Sequence, residues 1–372
     1  MVKLVIYNIR NFIVLWIAIL VLIAIGNDVW RFTLKPALRA DDPRASLPVY
    51  DDHAYAERVY RNQKVADFDY VPFIEWRHKP YSSETLNIDG NGYRMNGNPA
   101  AQFADRANTV TVGFFGGSTI WGTGVDDKNT IPALFGNLNS RFRVMNFGER
   151  GFDSRQNLNE LINLTITQAA PQVVIFYGGY NDVWVHCNYA VSKLLNGHVR
   201  EQRLRQALLV SEDTQSAVYH YLIEPVYLVL SRVSGSRGFL PACSNDPQRA
   251  AAVAAMIVEN WQIAHELVSR HGGKFFAFLQ PNAHVGSPNL SYLNMSENRM
   301  LRSEEYRAVY PLVRKFAAQK SAKWIIDLST VLDGDRLLYV DDAHLSPEGN
   351  KTIAKKIYET LRTELASAES RL

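Results

Sequence analysis

The sequence has very few cysteines and no excess of charge of either sign. Cys187 and Cys243 are the only cysteines among 372 residues, too few for a fold that depends on several disulfides. The 40 basic residues nearly balance the 37 acidic ones, so there is no electrostatic reason to expect nucleic-acid binding. Whether the two cysteines pair depends on their distance in the fold, so a disulfide and two buried thiols both stay open.

Several motifs of cofactor-dependent proteins are also missing. Apart from His344, the histidines show no paired metal-ligand spacing, and we expect neither a metal nor another cofactor. No Gly-Lys-Ser/Thr follows a glycine-rich turn, which excludes the usual phosphate loop. The G-x-S-x-G elbow of α/β-hydrolases is not met either.

The longest apolar run lies near the N-terminus. Residues 12–25 are uninterrupted by polar side chains and follow Lys3 and Arg10. As a helix, this run spans about 21 Å, short of a bilayer core of about 30 Å, unless its apolar neighbours extend it. We expect residues 1–30 to be a retained membrane anchor. A signal segment cleaved near Gly26 is the first alternative, and a buried helix is the second. Both leading interpretations place the rest of the chain on the exported side of a bacterial-type inner membrane, either anchored there or secreted after cleavage.

From residue 108 onward, short β-rich runs alternate with helical stretches. The β-rich runs lie at 109–115, 142–147, 172–177, 274–279 and 323–328. The helical stretches lie at 130–140, 155–169, 247–271, 303–321 and 346–364. Buried strands that alternate with helices predict a parallel sheet covered on both faces. Five such strands predict a three-layer α/β/α sandwich of the flavodoxin-like type.

The remaining segments flank or interrupt this domain. We predict a linker and irregular lead-in over 31–107, packed on the core, then a domain over 108–364 and a C-terminal tail over 365–372. Within the domain, residues 183–246 are too long for a simple crossover connection. We interpret them as a helical insertion that forms a lid or a substrate wall.

Polar residues and glycines follow the predicted strands at the points where they end. Ser118 follows the first strand, Gly151 lies in the loop after the second, and Asn181 lies in the loop after the third. Asp341 and His344 follow the fifth strand through a short segment. Because the carboxyl ends of parallel strands meet at one edge of a sheet, we expect these residues to lie close together.

These residue types suit acyl transfer. A serine hydroxyl is a poor nucleophile until a base takes its proton, and a carboxylate orients a histidine for that task. We therefore predict Ser118 as nucleophile, His344 as base and Asp341 as its partner, with the last two presented by one turn. The backbone N–H groups of Ser118 and Gly151 and the amide of Asn181 would stabilise the oxyanion.

Four sequence blocks resemble the SGNH (GDSL-like) hydrolase superfamily over about residues 108–364. They occur in the family's order as GGSTIWG, NFGERGFDS, GGYND and DDAHLSPEGN. The resemblance implies the three-layer fold, the triad and the oxyanion donors Gly151 and Asn181. The chain departs from the family where Gly117 replaces the acidic residue of GDS, and Gly148 competes with Gly151 as the oxyanion glycine.

Three aromatic residues beside these blocks are candidates for substrate binding. Trp121, Tyr180 and Trp184 could stack on a sugar ring, and packing in the core or rim is the alternative. Ser118 taken alone could equally be a helix cap. Asp342 does not have the triad spacing, and we expect it to be solvated.

The resulting prediction is a serine esterase that removes an acyl group, acetyl by expectation, from a glycan or small ester. The glycan is suggested by resemblance to membrane-anchored bacterial SGNH proteins. The same triad could serve an O-acyltransferase that passes the acyl group to a sugar hydroxyl. A glycan-binding module with a relic site is the third hypothesis, and the full set of catalytic residue types argues against it. The membrane is the other expected partner, through the N-terminal helix, and the oligomeric state stays open.

Overall fold

The structure, a computed structural model, describes residues 2–29, 42–97, 109–188, 241–294 and 302–369. The chain divides into two units. One comprises Met1–Asp41 and Arg200–Arg237, and the other comprises Asp42–Val199 and Gly238–Leu372. Most of the predicted insertion, residues 189–240, lies outside the described residues.

The first unit contributes one described helix, α1 (Val2–Val29). In the ranges that the structure describes, no helix meets the length and apolar character needed to cross a membrane. Retention of residues 1–30 as an anchor stays a prediction.

Nine strands occur in the described part of the second unit. They are β1 (Phe68–Val71), β2 (Glu75–His78), β3 (Tyr81–Ser82), β4 (Asn87–Ile88), β5 (Val110–Gly116), β6 (Phe142–Asn146), β7 (Val173–Gly178), β8 (Lys274–Leu279) and β9 (Ile325–Asp327). The last five form one sheet in the order β6-β5-β7-β8-β9, and every neighbouring pair is parallel. This is the flavodoxin-like order, with the chain reversing direction across the sheet beside β5. The predicted five-stranded parallel sheet is confirmed.

Helices cover both faces of this sheet. In chain order they are α2 (His53–Val65), α3 (Ser118–Trp121), α4 (Ile131–Gly136), α5 (Ser154–Ile166), α6 (Tyr180–His186), α7 (Pro247–Arg270), α8 (Ser303–Gln319) and α9 (Pro347–Glu369). Helices α5, α7 and α8 pack on one face, and α4 and α9 pack on the other.

The side chains of the strands explain this arrangement. On β5, Val112 and Phe114 enter the core under α4 and α9, whereas Phe115 enters the core under α5 and α7. Successive strand residues point to opposite faces, so a strand buried on both faces is a continuous apolar run. Side-chain caps begin several of the helices. Asp153 forms a capping box with Gln156 at the start of α5.

The lead-in requires a correction, because its described part is regular rather than irregular. A 3₁₀ helix (Pro43–Ser46), α2 and the strands β1 to β4 occupy residues 42–97. Two of its arginines form buried ion pairs with the domain, Arg77 with Glu160 at 3.0 Å and Arg94 with Asp127 at 2.9 Å. The second unit accordingly begins at Asp42, well before the predicted start at residue 108. Its strands are too short to produce a detectable period in the sequence.

Candidate active site

Ser118 lies where the central strand β5 gives way to a helix. The strand ends at Gly116, Gly117 is the N-cap, and Ser118 opens α3. A Cβ at Gly116 would lie 2.5 Å from the carbonyl oxygen of Tyr177, and a Cβ at Gly117 would collide with the Asn181 amide. Glycines are required here because the backbone runs close to its neighbours, and the turn leaves the Ser118 hydroxyl at the carboxyl end of the sheet.

Three predicted residues form a continuous hydrogen-bonded chain at this edge. His344 Nε2 lies 2.6 Å from Ser118 Oγ, and His344 Nδ1 lies 2.8 Å from Asp341 Oδ2. The backbone N–H groups of Ala343 and His344 donate to Asp341 Oδ1 at 2.9 and 2.8 Å. These bonds close a tight turn, and the three-residue spacing therefore brings the carboxylate beneath the imidazole.

Asp341 is held in its ionised form. Burial by itself raises the pKa of this carboxyl, but the charge and hydrogen bonds of His344 and the charge of Arg44 bring the pKa well below its ordinary value. Arg44 Nη1 donates to Asp341 Oδ2 at 2.6 Å. Nothing in the sequence indicates that Arg44 pairs with Asp341, because Arg44 lies 297 positions before this partner in a segment without periodic signal.

The candidate oxyanion donors surround Ser118. Asn181 Nδ2 donates to the carbonyl of Phe152 at 2.8 Å, which uses one of its two N–H bonds. That carbonyl also lies 3.3 Å from the position of a Cβ on Gly117, so the loop after β6 approaches Ser118. Gly151 adopts φ +85°, a backbone conformation that favours glycine. Within the described ranges, the backbone N–H groups of Ser118 and Gly151 have no acceptor.

Gly148, the competing glycine, has a different role. Its N–H donates to Asn146 Oδ1 at 3.0 Å. A Cβ at this position would lie 2.7 Å from the backbone nitrogen of Trp121. Gly148 therefore packs against α3 with its donor occupied, which favours Gly151 as the oxyanion glycine.

The prediction that Trp121 contacts substrate is wrong. Its side chain has 0% exposure and stacks on His78 at 4.6 Å between ring centroids. The guanidinium groups of Arg94 and Arg150 lie 4.7 and 5.2 Å from its ring centroid. The lead-in covers this ring. The sequence does not predict this burial, because the contacting residues are far from Trp121 along the chain.

The prediction for Tyr180 is wrong for a similar reason. Its ring is buried against Tyr306, with the centroids 5.0 Å apart, and its hydroxyl donates to Asp342 Oδ2 at 2.9 Å. Trp184 is partly buried, and the Arg302 guanidinium lies 5.9 Å from its ring centroid. Substrate contact by Trp184 stays a prediction.

Asp342 is buried rather than solvated, contrary to expectation. Only 5% of this residue is exposed, and its Oδ2 atom also lies 3.3 Å from His284 Nε2. The loop after β8 covers it, since Ala283 N–H donates to the Asp342 carbonyl at 3.0 Å. His284 Nδ1 in turn lies 3.0 Å from Ser303 Oγ, so a second serine–histidine–aspartate chain is buried beside the first.

A buried acid supports the helix that carries Asn181. Burial, followed by the charge of Asp153, raises the pKa of Asp182 to about 6. Asp182 Oδ1 accepts from the backbone N–H and the hydroxyl of Ser154 at 3.0 and 2.5 Å. Asn260 Nδ2 donates to the same hydroxyl at 2.8 Å. This network joins α6 to α5 and α7 and so fixes the helix that positions the amide.

The two cysteines form a disulfide at the end of the same helix. Cys187, the C-cap of α6, is bonded to Cys243 with a Cα–Cα distance of 5.0 Å. Glu305 is the third member of the one potential metal-binding group in the described residues. Disulfide sulfurs do not act as thiolate ligands, and Glu305 already accepts the N–H of Cys243 at 2.7 Å. These three residues therefore form a disulfide cross-link with a hydrogen-bonded carboxylate rather than a metal site.

No protein-family model and no curated protein matches the chain. Solved structures do match. A lipolytic protein of the G-D-S-L family from Veillonella parvula is 13% identical, with 67% of this chain and 96% of that chain covered and a TM-score of 0.38. A carbohydrate acetylesterase from Sinorhizobium meliloti is 13% identical, with 68% and 99% covered and a TM-score of 0.38. A GDSL-like lipase from Bacteroides thetaiotaomicron is 13% identical, with 71% and 94% covered and a TM-score of 0.39.

Two of these three proteins carry the GDSL name, the group that the four sequence blocks resemble. The chain's own fold and site define its class. It is an α/β protein with a five-stranded parallel sheet and a serine–histidine–aspartate chain at the carboxyl edge of that sheet.

Proposed function

We propose that the protein is a serine esterase of the SGNH type that hydrolyses an acyl ester. One observation carries the proposal, the 2.6 Å contact from Ser118 Oγ to His344 Nε2, which is continued at 2.8 Å from Nδ1 to Asp341. In this arrangement His344 takes the serine proton as the oxygen attacks the ester carbonyl. The ionised Asp341 fixes the imidazole tautomer and stabilises the imidazolium.

The remaining steps follow from the surrounding donors. The carbonyl oxygen becomes an oxyanion, which the N–H groups of Ser118 and Gly151 and the free amide N–H of Asn181 stabilise. His344 then gives its proton to the departing alcohol oxygen, and an acyl-serine remains. A water molecule attacks the acyl-serine, His344 takes a proton from that water, and the carboxylic acid leaves as Ser118 regains its proton.

The proposal extends to an acetyl group carried on a glycan hydroxyl. It is supported by the resemblance of the four sequence blocks to bacterial SGNH proteins. Release of acetate from acetylated glycans, compared with release from small acetyl esters, tests this extension. Faster turnover of small esters than of any glycan would contradict it.

We also propose that the catalytic domain works in an oxidising compartment beyond the inner membrane. The support is the Cys187–Cys243 disulfide, since such bonds persist mainly in exported proteins. Cell fractionation locates the domain, and N-terminal sequencing shows whether residues 1–30 are retained or removed. Domain recovered only in the cytosol would contradict the proposal.

Ser118→Ala tests the mechanism. We expect it to abolish turnover of an activated acetyl ester such as 4-nitrophenyl acetate without lowering the melting temperature, because only the nucleophile oxygen is lost. Ser303→Ala is the matched control. Ser303 belongs to the second serine–histidine–aspartate chain, but it is buried, with only 8% exposed, so this variant should keep its activity. Unchanged activity in Ser118→Ala would sink the mechanism.

Hydrolysis and transfer are separated by a product assay. Purified protein is given an acetylated glycan with and without a competing sugar acceptor, and both acetate and acetylated acceptor are quantified. Hydrolysis predicts acetate in equal amounts in both reactions. Acetylated acceptor formed in place of acetate would identify an O-acyltransferase instead.

A further inference from the structure

The triad carboxylate has a second cationic partner that comes from the lead-in. Arg44 Nη1 lies 2.6 Å from Asp341 Oδ2, the same oxygen that lies 2.8 Å from His344 Nδ1. The side chain of Asp341 is 4% exposed and that of Arg44 is 28% exposed. A charge-assisted hydrogen bond to a buried carboxylate is short and directional. Arg44 therefore restricts how this carboxylate can rotate.

Arg44 is itself held on three sides. Asp42 accepts from its Nε at 3.0 Å and from its Nη2 at 2.9 Å. Its guanidinium lies 4.6 Å from the ring centroid of Tyr60. The Tyr60 hydroxyl contacts that of Tyr50 at 2.9 Å, and Tyr50 donates to the carbonyl of Gly124 at 2.8 Å. Gly124 follows the helix that begins at Ser118, so the lead-in is hydrogen-bonded both to Asp341 and to the segment after this helix.

We infer that Arg44 is a positioning residue, which fixes the Asp341 carboxylate toward His344 and makes residues 42–46 part of the catalytic machinery. The inference rests on the proposed function of the triad. It assigns the lead-in a role in the reaction beyond covering the core, and Asp42 acts through Arg44.

Two effects of removing Arg44 can be separated. Loss of its hydrogen bond frees the carboxylate to rotate, and fewer molecules hold the imidazole in the productive orientation. Loss of its charge removes a cation that competes with the imidazolium for the same carboxylate. The other charged groups nearby are Asp42 and Lys64 of the lead-in, Arg150 of the glycine block, and Asp341 and His344 on the triad loop. Burial raises the pKa of Asp42, and the hydrogen bonds and charge of Arg44 lower it below its ordinary value, so removing Arg44 also removes this effect on Asp42.

The experiment compares Arg44→Gln and Arg44→Lys with Arg58→Gln. Arg58 is the matched control, because it lies on α2 in the same lead-in and is half exposed near Glu84 at 3.7 Å. We expect Arg44→Gln to lower kcat about 10- to 100-fold with KM nearly unchanged. The acidic limb of its pH–rate profile should move up by roughly half a unit to one unit, since the competing cation is gone. Arg44→Lys restores the positive charge but lacks the planar guanidinium with its paired donors. The acidic limb should therefore return to its wild-type position, while kcat recovers only in part.

The results distinguish positioning from a structural role. Melting temperatures show whether each variant folds. If Arg44→Gln has a clearly lower melting temperature than wild type, Arg44→Lys is used in its place. Activity within twofold of wild type in Arg44→Gln would overturn the inference. So would a lower kcat with an unmoved acidic limb and no recovery in Arg44→Lys, because that pattern indicates a structural role alone.

A second readout keeps this inference separate from the choice of substrate. A fluorophosphonate probe labels an activated serine without needing the natural ester, so its labelling rate at Ser118 is measured in the same variants. If the probe labels Ser118 of the wild-type protein but no ester is turned over, the proposed esterase activity is contradicted. The role of Arg44 is then still tested by comparing labelling rates. Equal labelling rates in wild type and Arg44→Gln would overturn the inference whatever the substrate.

Discussion

Replacing Asn181 with alanine tests the oxyanion hole at the residue whose geometry is best defined. The Asn181 amide donates one of its N–H bonds to the Phe152 carbonyl at 2.8 Å. It lies against the backbone of Gly117, next to Ser118. Its second N–H bond is the donor that we propose for the oxyanion. Alanine removes both bonds.

The two bonds have different expected magnitudes. Removing one oxyanion donor lowers kcat by about 10²–10³, equivalent to about 2.7–4 kcal/mol of transition-state stabilisation. Losing the bond to Phe152 leaves a partly buried carbonyl without that partner, which costs about 1–3 kcal/mol of folding stability. We therefore expect Asn181→Ala to lose activity much more than stability, with little change in KM.

The assay measures kcat and KM on an activated acetyl ester together with the melting temperature. Asn157→Ala is the control, because Asn157 on α5 is buried and, like Asn181, donates to a backbone carbonyl, that of Asp153, at 2.7 Å. It should lower the melting temperature to a similar extent and keep kcat. A kcat for Asn181→Ala within threefold of wild type, or an equal loss in the control, would refute the reasoning.

Three further predictions concern the surroundings of the triad. Gly117→Ala should lower kcat about tenfold or more by displacing the Asn181 amide, and it should cost no more folding stability than loss of the Asn181 bond to Phe152 entails, about 1–3 kcal/mol. Asp182→Asn should become more stable relative to wild type as pH rises from 3.8 to about 6. Burial and then the charge of Asp153 raise the pKa of Asp182 in the folded protein. In this pH window the folded protein therefore keeps a proton that the unfolded chain has lost. Wild-type stability falls as a result, by about 3 kcal/mol at most. Denaturant unfolding over this pH range measures the difference. Non-reducing mass analysis of exported protein should show Cys187 joined to Cys243.

Each of these predictions has its own contrary outcome. Gly178→Ala is the control for Gly117→Ala, because a Cβ at Gly178 meets nothing within 4 Å, and equal losses in both variants would argue against displacement. A stability difference for Asp182→Asn that is flat with pH would contradict the raised pKa. Two free thiols in the mass analysis would rule out the disulfide.

The sequence by itself determined the sheet and the edge at which the triad assembles. All five predicted strands occur, since strands buried on both faces must be apolar at every position and short enough to stand out. Ser118, Asp341 and His344 meet because parallel strands end at a common edge. Ser118 follows β5 almost directly, and the tight turn of Asp341 and His344 lies at the same edge after a longer segment that follows β9. Local chemistry alone was sufficient for these features.

Only the tertiary structure decided which neighbours face the triad and which are buried. Trp121 and Tyr180 stand beside catalytic blocks in sequence, yet packing covers both rings. Arg44 reaches Asp341 from 297 positions away out of a segment without periodicity. Burial and long-range ion pairs depend on how separate segments pack in space, and residue types along one chain do not record that packing. The lead-in is therefore bonded to the carboxylate that serves Ser118, where the sequence predicted only a covering of the core.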